Sequence, residues 1–100
     1  MEYILFIHNN TDIQPDIAEW EHFFELAGYS GMFQGGSEIG KRVQLGTKNV
    51  TDTTKSVVGY MRFESDNIEA IEKLLADHPV LKNGGTLELR ELPQTKQANA

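Results

Sequence analysis

The chain has 100 residues, 39% of them hydrophobic, no cysteine and a formal net charge of −6. That is one domain, able to bury roughly 60–70% of its unfolded surface, so a packed core is expected rather than disorder. The acidic balance, with Lys41 and Arg42 the only adjacent basic pair, argues against a binder of nucleic-acid backbones, and the lack of cysteine excludes disulfides, thiol catalysis and cysteine-based zinc sites.

The first eight residues are apolar but carry Glu2 and no basic stretch, which is not the pattern of a secretion signal. No run approaches the ~18 apolar residues of a membrane span, so a cytoplasmic protein without membrane contact is expected. Residues 3–7 form a continuous apolar run, the pattern of a strand covered on both faces. After a polar turn, Pro15 suits a first helical position, and Asp16 and Glu19 lie near the positive end of the helix dipole. Ile17, Trp20, Phe24 and Ala27 then make one apolar stripe, and Gly28 stands at the helix end.

Residues 31–40 are glycine-rich and read as a loop. Residues 42–45 alternate, as a short half-buried strand does, and residues 48–55 form a polar connection. The β-branched run at 57–63 is a third strand. Asp66 and Glu69 fit a capping box, followed by the stripe Ile68, Ile71, Leu74 and Leu75. His78-Pro79 ends this helix, Asn83-Gly84-Gly85 is a turn, and residues 86–92 alternate strictly as a last strand. The domain is expected to span 1–93, with a disordered tail at 94–100.

The order is β-α-β-β-α-β, an α+β chain of the ferredoxin-like type: an antiparallel sheet with strands one and three central and both helices on one face. Strand one nevertheless carries apolar side chains on both sides, Tyr3, Leu5 and Ile7 on one and Ile4 and Phe6 on the other. Leaving the second face wet would forfeit about 1.5–3 kcal/mol per large side chain, so two subunits are expected to pack through their open faces as a homodimer.

Trp20 and Phe24, Gly31 and Gly35-Gly36, Gly59-Tyr60, His78-Pro79-Val80-Leu81 and the run from Gly84 to Arg90 make one pattern that extends to about Pro93. On these residues the chain resembles the YCII-related family, and within it the DGPF branch. It implies a ferredoxin-like subunit that pairs into a dimeric α/β barrel. The Asp-Gly-Pro-Phe loop that names the branch corresponds to residues 51–55 here, where Asp52 matches and Gly-Pro-Phe is absent.

Alternation puts Leu87 and Leu89 toward the helices and Glu88 and Arg90 on the open side, and it pairs Tyr60 with Arg62 on the open side of strand three. His8 shares a face with Phe6 and Ile4. Together His8, Tyr60, Arg62, Glu88 and Arg90 form a candidate constellation. A guanidinium there would clamp an anion and a His or Glu would move a proton; equally, the same charges would pair as a network lining the dimer interface. Asp52 is either a turn residue or a general base at the barrel mouth. His22 points away from its helix's apolar stripe, and His78 sits at a helix C-terminus, where a cation is favoured. Histidines at 8, 22 and 78 lack ligand spacing, so no metal and no cofactor are expected. The near P-loop at 35–42 has Arg42 where magnesium needs a hydroxyl, and Glu38 facing the phosphates.

Two functions follow from these residues. One is a protein that binds or converts a small molecule, anions being the class the arginines favour, with catalytic candidates His8 and Asp52 and ligand contacts at Tyr60, Arg62, Glu88 and Arg90. The other is a non-catalytic interaction or regulatory module whose open sheet face serves only dimerisation.

Overall fold

The computed structural model describes residues 1–50 and 52–94. Strand β1 (Glu2–His8) leads into helix α1 (Ile17–Ser30), then strand β2 (Phe33–Glu38). A 3-10 turn (Asp52–Ser56) precedes strand β3 (Val57–Glu64), and helix α2 (Ile68–Leu75), a short helix α3 (Pro79–Lys82) and strand β4 (Leu87–Leu92) complete the chain. The strands form one antiparallel sheet in the order β2-β3-β1-β4, the ferredoxin-like arrangement, with the two apolar strands in the middle.

Each helix starts and stops for a local reason. Asp16 is the N-cap of α1: its carboxylate accepts from Glu19 N–H at 2.8 Å, and Glu19 accepts in return from Asp16 N–H. Pro15 therefore precedes the cap instead of opening the helix, and the capping box belongs to α1. Helix α2 is capped by Asn67, whose side chain accepts from Glu69 N–H, so Asp66 is not the cap. Gly31 (φ 73°) ends α1 in the left-handed region, two residues beyond Tyr29, so Gly28 lies inside the helix.

The expected second strand, glycine-rich loop and α1 stripe are also corrected. The second strand is Phe33–Glu38, not 42–45, and the residues read as a glycine-rich loop are mostly strand. Residues 42–45 join no strand, and Val43 and Leu45 are exposed. On α1 the core face carries Phe23 and Ala27, with Trp20 packed at its border; Ile17 is exposed and Phe24 lies 46% open. The tail expected from 94 on falls, Gln94 apart, outside the described residues.

The core sits between the helices and one sheet face. Tyr3, Leu5 and Ile7 of β1 and Met61 and Phe63 of β3 meet Phe23, Ala27, Ile71, Leu75 and Val80, with Leu87 and Leu89 of β4 at the margin. Odd-numbered residues of β1 thus face the helices. The even-numbered Ile4 and Phe6, both half-buried, lie on the opposite face, which no helix covers among the described residues.

Candidate functional site

The register shows what the open face carries. Ile4 stands between Arg62 of β3 and Arg90 of β4, and Phe6 between Tyr60 and Glu88. Beyond Phe6 the β1–β3 ladder shifts: Ile7 opposes Gly59 but His8 opposes Val57, so β3 bulges at Val58. Bulges re-aim side chains, and this one draws Ser56 level with the end of β1, where Asn9 N–H also bonds its carbonyl at 2.9 Å.

His8 is the centre of this corner. It is only 5% exposed, and both ring nitrogens are engaged: Nε2 lies 2.6 Å from Glu88 Oε1 and Nδ1 lies 2.5 Å from Ser56 Oγ. A carboxylate can only accept, so Nε2–H donates to Glu88. In the neutral ring Nδ1 then accepts from the Ser56 hydroxyl, giving a directed chain from Ser56 through His8 to Glu88. Glu88 keeps 49% of its side chain exposed, so the chain ends in a carboxylate open to a ligand on the uncovered face. Asn10 braces the same corner, donating to Thr86 Oγ1 and accepting from Thr86 N–H, both at 2.9 Å, just before β4 begins.

The other expected residues fall as follows. Arg62 donates to the Gln34 carbonyl at 3.2 Å, and Arg90 is exposed and makes no ion pair among the described residues. Tyr60 is half-buried opposite Phe6. Asp52 is not part of the corner: it pairs with Lys55 at 3.2 Å, both exposed. Ser56 is the participant the sequence did not disclose, since the bulge that delivers it leaves no mark in composition or periodicity. Among the described residues no three His, Asp or Glu side chains gather as a metal site.

A cavity of about 930 Å³ lies on the opposite, helix-covered face. It runs between α1 and the β2–β3 edge, past Trp20, Phe24, Phe33 and Met61, and of the expected site residues only Tyr60 borders it.

His78 is a separate case. It is fully buried against Phe23 and Trp20, at ring-centroid distances of 4.6 and 5.0 Å. Its Nδ1 accepts from Val80 N–H at 3.1 Å, which caps the N-terminus of α3. The expected cation at a helix C-terminus is therefore a neutral ring at a helix N-terminus, and burial pushes its pKa down to about 4.

Among solved structures, 5-chloro-2-hydroxyhydroquinone dehydrochlorinase from Burkholderia phenoliruptrix, in complex with 2,5-dihydroxybenzoquinone, shares the fold, with a TM-score of 0.57, 13% sequence identity, and 97% of this chain aligned to 98% of that one. The likeness is one of fold. No protein-family model and no curated protein matches the chain.

Proposed function

We propose that the chain is a YCII-related subunit that pairs into a dimeric α/β barrel and moves a proton on a small molecule held at the open sheet face beside Glu88. The observation that carries this is His8, buried and held at both ring nitrogens, so that one oxygen of a half-exposed carboxylate is fixed. Glu88 is the group that touches the ligand, and its second oxygen takes the proton. His8 positions it and spreads the charge, and Ser56 holds the ring in the tautomer that donates to Glu88. Arg90, two residues along β4 on the same face, supplies a guanidinium for an anionic or oxygen-bearing ligand.

Three points support the reading. A buried histidine bonded to a carboxylate and a hydroxyl is a common way to prepare acid–base chemistry. The fold neighbour acts on a hydroxylated ring and is held with a dihydroxybenzoquinone, a small oxygen-rich ring of the kind a guanidinium and a carboxylate would grip. Within the chain Glu88 bonds His8 and not Arg62 or Arg90, so the ion-pair network that a pairing module would build from these side chains is not the one that forms.

The test is a thermal-shift screen of small carboxylates, phosphates and hydroxylated quinones against the wild type, Arg90→Ala and Glu88→Gln. At least one class should raise Tm of the wild type, Arg90→Ala should lose most of that rise while remaining a dimer, and Glu88→Gln should still bind but not turn over. A rise that survives in both variants removes the open face from the reading.

A further inference from the structure

The groove on the helix-covered face is independent of the proton-transfer site. Its floor is sheet backbone, for a reason visible in the register. Gly59 opposes Ile7, a helix-facing position, so a site that would carry a side chain on the groove's floor carries none. Gly36, opposite Met61, lets β2 lie close on β3: a Cβ there would meet Tyr60 O at 2.2 Å, so the position cannot be filled without moving β3. The wall is aromatic: Trp20 stacks on Phe24 at 5.9 Å, and Phe24 meets Phe33 at 6.1 Å. The cavity's size falls within the range of small-molecule sites.

The rim sets the charge. Glu38, opposite Gly59 and so also helix-facing, borders the groove and makes no ion pair among the described residues; Gln14 is the other flexible polar side chain there. An aromatic face attracts a cation through its quadrupole, and a neighbouring carboxylate adds to that attraction while repelling anions. We infer that this groove is a ligand site for a flat aromatic ring bearing a protonated amine, the ring lying along Trp20 and Phe24 and the ammonium meeting Glu38. Its charge preference is the opposite of that proposed for the open face.

Trp20 is the single tryptophan and lines the groove, so its emission is the readout. The full chain is titrated with phenethylamine, with phenylacetate as the same ring of opposite charge, and with cyclohexylethylamine as the same charge without a π face. Phenethylamine should change the emission saturably at one molecule per chain, and both controls should bind more weakly. Glu38→Gln should weaken the amine about fivefold, the scale of an exposed ion pair, without changing Tm. Phe24→Ala, at a largely open position, should weaken it further while the fold persists. The inference is overturned if phenylacetate binds as well as the amine, if no saturable change occurs, or if Glu38→Gln binds like the wild type. It is equally overturned if the emission depends on protein concentration without ligand, which would make the groove a contact between chains.

Discussion

At the scale of single residues, two histidines with similar burial do different work because of what faces them. His8 has a carboxylate on one side and a hydroxyl on the other, whereas His78 has two aromatic rings and one backbone N–H, with Nε2 left unpartnered among the described residues. Protonating His78 would cost it the acceptor that caps α3 and place a charge among rings. Its folded pKa lies below the unfolded value of 6.5, near 4, so the unfolded chain takes up the proton first. The stability it contributes is present above pH 6.5 and is lost as pH falls toward 4. The loss is roughly 3 kcal/mol, since each pH unit between the folded and unfolded values is worth about 1.4 kcal/mol. Urea unfolding at pH 7.5, 6, 5 and 4 checks this. His78→Asn, which keeps a capping acceptor, should flatten that part of the profile even if it lowers stability at every pH. A wild-type profile flat between 6.5 and 4.5 would show that His78 is not the sensor.

At the scale of elements, the strands β1, β3 and β4 are legible in the sequence because each is an apolar or alternating run of six residues or more. Strand β2 is not. Its sequence, Phe33 to Glu38, has two glycines and little apolar alternation, and it is held as an edge strand by the β3 ladder rather than by its own side chains. Residues 42–45 alternate but meet no partner strand. The core stripe of α1 lies one position away from the expected one because faces through Phe24 and through Phe23 both fit a helical period, and only the placement of the sheet decides between them. The open-face pair His8 and Glu88 is readable from alternation; Ser56 is not, because the bulge at Val58 resets the count. The α1 assignment gives a sharp contrast. Phe23→Ala should cost about 3–5 kcal/mol in denaturant unfolding, as a buried aromatic does, while Phe24→Ala should cost under ~1 kcal/mol at its half-open position. Asp16→Ala removes the capping box and should cost about 1 kcal/mol. Equal losses at Phe23 and Phe24 would place the core face elsewhere.

For the whole molecule, the governing fact is a sheet covered on one side only. The helices bury Tyr3, Leu5 and Ile7, and the same strand turns Ile4 and Phe6 outward between Arg62, Arg90, Tyr60 and Glu88. An apolar centre ringed by polar side chains suits the proposed dimer, in which a second copy laid on it would also enclose the Glu88 carboxylate and strengthen its interactions by excluding water. Enclosure is what the proposed proton transfer requires and what one subunit cannot provide. Ile4→Asp tests the link. In the isolated subunit the new carboxylate stands between Arg62 and Arg90, where it is tolerated; in a closed barrel it would be buried with whatever faces it. Size exclusion with light scattering should give twice the 11.3 kDa chain mass for the wild type and a single chain mass for Ile4→Asp, with the helical circular dichroism unchanged. Ligand-induced stabilisation at the open face should disappear with the dimer, while amine binding in the groove under α1, built within one subunit, should persist. A monomeric wild type that still binds an anion beside Glu88 would separate the chemistry from the assembly.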